Sequence, residues 1–331
     1  LESVMNGGLA GTVEQFPGQQ GRTALNIAVN KVLNDEDPES NLVLLEPMVI
    51  SADNIMEAER IGEVEGMEME AAGGQALFAA EIAACDTAEL TIASSMPDMA
   101  FPFFVHMQAQ GRDEAGAIGG ITLLESDGQS SVPKQTGDVE AAIVQGAQAL
   151  VISPLDVAAM APALQQAVEA GLVVVTVDRR VEGVDGILAH VGADNVIGGR
   201  KQAEWVLENY PDGARVFYLE GQPGSGPAID RKAGAFEVLQ AAGDAYPIVF
   251  EQTANFRREE GLSVTEAGLA GLDAPPDVII AANDDMALGA LEAVTALGLQ
   301  DQIAIIGFDA LPEALESVMN GGLAGTVEQF P

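Results

Sequence analysis

From residue 88 onward, short runs rich in valine and isoleucine alternate with longer amphipathic stretches, and this alternation is the strongest constraint on the fold. Parallel strands return to the same sheet only through a crossover, usually a helix, so such a pattern points to βαβ winding. The runs expected as strands are 90–94, 120–125, 149–153, 172–177, 187–191, 215–220, 248–252, 278–282 and 303–308. Stretches 139–148, 157–170, 199–209 and 286–297 carry apolar residues at spacings of three and four, which predicts helices covering the sheets. Nine strands exceed one small sheet. A chain of 331 residues with 48% apolar composition fills two cores, so an α/β protein of two lobes is expected.

Residues 1–17 return unchanged at 315–331, a repeat that chance does not produce. It fits either a circular permutation with a duplicated junction or a window of a tandem array. Residues 56–87 read as an acidic, partly helical linker. Its end, Ile82-Ala-Ala-Cys85, is similar to a lipoprotein cleavage box, but Glu63, Glu65, Glu68 and Glu70 break the apolar stretch that an export signal needs.

Composition excludes several functions. A net charge of −37, from 51 acidic and 14 basic residues, repels nucleic acid and anionic lipid. The single Cys85 rules out an internal disulfide, and His106 and His190 lie in no ligand-spaced pattern, so neither a metal nor another cofactor is expected. No run of 18 apolar residues is present to span a membrane. No nucleophile–base pair or phosphate loop stands out, so no enzyme is expected; Asp284-Asp285 reads as helix capping.

In open α/β sheets ligands bind beyond the carboxyl ends of the strands. The residues there form a coherent set: Phe101, Phe103 and Phe104 after the first strand, and Asp178-Arg179 after the fourth. Arg231 follows the sixth, Phe256 the seventh, Asn283 the eighth and Asp309 the ninth, while Gln329 or its twin Gln15 ends a tenth. Carboxylates, amides and guanidinium forks serve several hydroxyl groups at once, and flat rings cover the C–H faces of a sugar.

At these residues the chain resembles the type I periplasmic sugar-binding proteins, and among them the ribose binders. The motifs are FPFF at 101–104, VVVTVDR at 173–179, HVGADNVIGG at 190–199, AIDR at 228–231, ANDDMALGAL at 282–291, IIGFDA at 305–310 and GTVEQFP at 325–331. The resemblance implies two Rossmann-like lobes with parallel sheets joined by a three-strand hinge, with crossovers near Ala193, Asn41 and Gln329 or Gln15. Residues 88–193 would form lobe 1 and 194–331 lobe 2. Residues 1–55 would be the family's C-terminal segment placed at the front, with helix 18–40 in lobe 1 and strand 41–50 in lobe 2.

By the same resemblance Phe103, Phe104 and Phe256 would sandwich a sugar ring. Its hydroxyls would meet Asp178, Arg179, Arg231, Asn283, Asp309 and Gln329 or Gln15. Phe101 stands where ribose binders carry an asparagine, so another small sugar stays open. The implied setting is periplasmic or extracellular, with an ABC importer as the membrane partner. The repeat adds self-association by segment exchange, and an alternative role as a structural or filament-forming protein.

Overall fold

The computed structural model describes residues 12–14, 17–58, 60–64 and 89–330. The chain begins with the short strand β1 (Thr12–Glu14), helix α1 (Pro17–Asn34) and strand β2 (Leu42–Ile50). The first half of the alternating region supplies β3 (Leu90–Met96), α2 (Pro102–Ile118), β4 (Ile121–Asp127), α3 (Val132–Val144), β5 (Ala149–Ile152), α4 (Ala161–Glu169), β6 (Val173–Val177) and β7 (Ala189–Ala193). After Ala193 the chain crosses over and builds α5 (Asn195–Asn209), β8 (Val216–Glu220), α6 (Gly226–Ala242), β9 (Ile248–Thr253), α7 (Arg258–Gly271), β10 (Val278–Ala281), α8 (Asp284–Ala296), β11 (Ala304–Ile306), α9 (Pro312–Asn320) and β12 (Thr326–Phe330).

The expected alternation is present in both halves. Strands β7, β6, β5, β3 and β4 lie side by side in one sheet, and β11, β10, β8 and β9 form the other. Every pairing among these nine strands is parallel. Because both faces are covered, β5 and β10 are buried at every position, which is why they read as unbroken apolar runs rather than alternating ones. The two-residue period survives in the cores: Ala149 and Val151 pack with α1 and α2, whereas Leu150 and Ile152 pack with α3 and α4. Prolines in the first turns of α2, α3, α4, α6 and α9 preset the helical φ where an N–H has no helical partner.

The front segment departs from expectation in part. The helix read from its residues over 20–34, and set at 18–40 by the resemblance, ends at Asn34, where Asp35 enters the left-handed region at φ 55° and Pro38 follows. The strand expected in lobe 2 over 41–50 divides between the lobes instead. Leu42–Leu45 run parallel to β7, and Glu46–Ile50 run antiparallel to β12. The beginning of the acidic linker is packed: Ile55, Ala58, Ile61 and Val64 are buried along two 3₁₀ turns, Ile55–Glu57 and Ile61–Glu63. Their spacing of three matches the 3₁₀ repeat, in which residues i and i+3 eclipse. Cys85 and the rest of the linker lie outside the described residues.

Both copies of Thr-Val-Glu register on the same stretch of β2, Thr12 and Thr326 on Ile50 and Val13 and Val327 on Val49.

Candidate functional site

The carboxyl ends of the two sheets face a common cavity. Its lining includes Phe101, Phe103, Phe104, Asp178 and Arg179 from the first lobe and Arg231, Phe256, Asn283 and Asp309 from the second. All nine are buried. Residues up to 208 positions apart in sequence therefore share one crevice, as the strand-end rule requires. Gln15 lies outside the described residues. Gln329 stands in β12 with its backbone opposite Pro47, and its side chain also lies outside the described part.

Three of the lining residues sit in left-handed backbone: Asp178 at φ 59°, Phe256 at 61° and Asp309 at 116°. Non-glycine residues enter this region at a cost of order 1 to 3 kcal/mol, and such positions concentrate at functional sites. Each one lies within three residues of a strand end and lines the cavity. Gly221 makes room for this, since a Cβ there would run into the Phe256 ring.

The aromatic wall is built edge to face. Phe103 and Phe104 lie 5.1 Å apart at 88°, and Phe101 and Phe104 lie 6.4 Å apart at 72°. The Arg179 guanidinium sits 5.4 Å from the Phe104 ring centre and 5.9 Å from that of Phe256, so rings from opposite lobes approach the same cation.

Each lobe contributes one arginine and one aspartate. Arg179 Nε lies 3.8 Å from Asp178 Oδ2, and Arg231 Nη1 lies 3.4 Å from Asp309 Oδ1. Burial pushes the Asp178 carboxyl up, against the pull of Arg179, Arg231 and Ser153. Burial also lowers both guanidiniums, Arg179 to about 10. Two guanidiniums facing the carboxyls of Asp178, Asp285 and Asp309 place donors and acceptors side by side, which suits a ligand rich in hydroxyls.

The structure corrects one assignment and adds residues that strand-end reasoning misses. Asn283, rather than Asp284-Asp285, caps α8: its Oδ1 accepts from Met286 N at 3.0 Å. Its Nδ2 donates to Phe256 O at 3.3 Å, so part of its amide serves the fold. Asp284 accepts from Leu311 N at 2.9 Å, and burial raises its carboxyl to about 7. Asp285 lines the cavity together with Pro227; burial raises it to about 6, although Arg258 at 3.6 Å opposes this. Asn195 and Gln222 orient the arginines, accepting from Arg231 Nε at 2.8 Å and Arg179 Nη1 at 3.0 Å. Asn195 stands inside the HVGADN motif two residues past β7, a place that could have marked it; Gln222, in a Gly-rich turn, carries no such signal.

The periplasmic binding protein domain family matches residues 92–331. The ribose import binding protein RbsB of Bacillus subtilis is 38% identical over 245 residues, 73% of this chain and 77% of that protein. RbsB of Escherichia coli K12 is 32% identical over 256 residues, 77% of this chain and 84% of that protein. Among solved structures, the Caulobacter myo-inositol binding protein bound to myo-inositol is 44% identical with a TM-score of 0.68, covering 71% of this chain and 80% of that one. With strand order, a shared crevice and sequence all in agreement, the chain belongs to the type I periplasmic sugar-binding proteins, close to the ribose-binding branch.

Proposed function

We propose that this protein closes around one neutral cyclic polyol, a pentose- or hexose-sized sugar or a cyclitol, and presents it to an ABC importer. The observation that carries this reading is the single crevice in which each lobe supplies an arginine, an aspartate and at least one phenylalanine. Guanidinium forks donate to hydroxyl oxygens, carboxylates accept from hydroxyl hydrogens, and the rings cover the C–H faces. Contacts split between lobes favour the closed form when the ligand is bound, because only that form offers both sets. The family consists of solute receptors rather than enzymes and works in the periplasm or outside the cell. Among the described residues no helix is long and apolar enough to cross a membrane.

The ligand roles of Phe101, Phe103, Phe104, Asp178, Arg179, Arg231, Phe256, Asn283, Asp309 and Gln329 or Gln15 are part of this proposal. Isothermal calorimetry with D-ribose, D-allose and myo-inositol tests it: heat of binding with at least one is expected, and no heat with any of them counts against it.

We also propose that residues 18–55 fill the place of the family's C-terminal segment, supported by the seat of β2 between β12 and β7. Both copies are seated on the same stretch of β2 in one chain, and their identical registers support self-association in which one copy leaves its place to complete a neighbour. Light scattering that reports a strict monomer at every concentration would remove this exchange. The filament-forming role receives no support from the relatives, which are solute receptors.

A further inference from the structure

Among the described residues, two of the polar contacts between the lobes differ in kind. In one, Arg257 from the loop after β9 reaches the first lobe, its Nη2 donating to Asp98 Oδ2 at 2.9 Å and to Ser130 Oγ at 3.1 Å. Ser130 Oγ donates to the same Asp98 oxygen at 2.5 Å, and Asp98 Oδ1 accepts from Ala100 N at 2.9 Å. In the other, Arg180 from the first lobe pairs with Asp230 on α6, and Val157 N donates to Gly224 O at 3.0 Å.

Opening the lobes has unequal consequences at the two places. Arg180 keeps Glu182 of its own lobe 3.6 Å away as a substitute partner. The Asp98 side chain is only 9% exposed, and its cationic partner comes from across the cleft. Separation leaves an enclosed carboxylate with Ser130 and Ala100 as its donors and only the more distant Arg179 as a cation of its own lobe, and losing the paired member of an enclosed ion pair is the costly case. Burial pushes the Asp98 carboxyl up, but Ser130, Ala100 and Arg257 together outweigh it and hold the group below its usual value.

The Arg257 contact is also tied to the cavity wall. The Arg257 guanidinium lies 5.2 Å from the centre of the Phe101 ring, and Phe101 lines the cavity. The loops that bring these groups together each hold two consecutive left-handed residues, Gln129 and Ser130 at φ 51° and 52°, and Asn255 and Phe256 at 52° and 61°. Backbone of this kind persists where the surroundings fix it, so the groups are presented in a set geometry.

We propose that Asp98, Ser130 and Arg257 form an ionic clasp between the lobes that holds the closed form and slows ligand release, with Phe101 as the ring that links the clasp to the ligand. Phe101 thus exchanges a hydroxyl-binding amide for a platform beneath the clasp. The proposal rests on the receptor reading, because a clasp matters only in a protein that opens and closes.

The test compares wild type with Arg257→Ala, Asp98→Asn and Arg180→Ala, using myo-inositol and D-ribose as probes. Calorimetry at roughly 0.05 M and 1 M salt gives affinity, and small-angle scattering of the ligand-free proteins gives lobe opening. Arg257→Ala and Asp98→Asn are expected to weaken binding about tenfold at low salt and to flatten its salt dependence, with Arg180→Ala changing it less than about threefold. Equal melting temperatures exclude a folding defect; should Asp98→Asn melt early, Arg257→Ala decides. An affinity and salt dependence within about twofold of wild type in Arg257→Ala overturns the clasp. If wild type binds neither probe, the receptor reading suffers, and scattering still judges the clasp. In that case a larger radius of gyration for Arg257→Ala at low salt supports it, and an unchanged radius overturns it.

Discussion

The two lobes offer the cavity the same pair of side chains, an arginine and an aspartate, but hold them differently. In the second lobe Arg231 is set by its own surroundings: Asn195 takes its Nε, the Ala282 carbonyl takes Nη1 at 2.6 Å, and the Phe308 ring lies 3.5 Å beneath the guanidinium. In the first lobe Arg179 donates to the Leu155 carbonyl at 3.2 Å and then to Gln222, which belongs to the other lobe. Its buried Nε makes no hydrogen bond. One half-site is therefore held within its own lobe, and the other takes a partner from across the crevice. Preorganised groups contribute more of their interaction to binding, because less ordering is lost when the ligand arrives.

Arg231→Met is expected to have the largest effect. It strips a buried partner from Asp309 and leaves Asn195 and the Ala282 carbonyl without their donor, so stability should fall by roughly 3 to 5 kcal/mol and binding should weaken at least about a hundredfold. Arg179→Met should weaken binding comparably while costing less than about half as much stability, since its own lobe invests less in holding it. Chemical denaturation alongside calorimetry checks both. Equal stability losses would erase the distinction between the half-sites.

The lobes should also differ in the sign of their response to pH. Burial lowers His190 of the first lobe to about 4, with Arg180 adding to the effect. Its folded value lies below the unfolded one, so its contribution is present above about pH 6.5 and is lost as pH falls through about 4. Burial raises Asp284 of the second lobe to about 7. Its contribution is complete below the ordinary carboxyl value and is lost as pH rises through about 7, at most on the order of 4 kcal/mol. Asp284→Asn should therefore move the pH of maximum stability upward, and His190→Gln should move it downward. Denaturant titrations between about pH 4 and 8 read both shifts, and movement of both optima in one direction would break the comparison.

A smaller effect is expected at the wall. Phe101→Asn supplies the amide that ribose binders carry at this position and should improve D-ribose relative to myo-inositol by about tenfold, the scale of one satisfied buried hydroxyl. Competition between the two in calorimetry measures this ratio. No change in the ratio would separate Phe101 from ligand choice.

The strands were legible because each depends on local pattern: 173–177 is a run of β-branched residues, and 278–281 is an apolar run buried on both faces. The candidate site was legible for a related reason, since polar and aromatic residues that end parallel strands must gather at one end of a sheet. The front segment was harder. Residues 55–64 carry their apolar side chains at a spacing of three, a signal masked by the surrounding glutamates and readable only as a 3₁₀ path. Strand β2 looks like any strand, and nothing local tells that its two halves belong with different neighbours.

Sequence by itself determined the α/β alternation, the strand-end set of phenylalanines, arginines and aspartates, and the doubling of residues 1–17 at 315–331. Tertiary structure alone decided how Arg231 and Arg179 are held, that Asn283 spends its oxygen on a helix cap, and that Arg257 crosses to Asp98. The physical reason is range. Periodicity and strand ends are properties of neighbouring residues, whereas a buried charge takes its partners from wherever the fold places them, 78 positions away for Arg231 and Asp309 and 159 for Arg257 and Asp98.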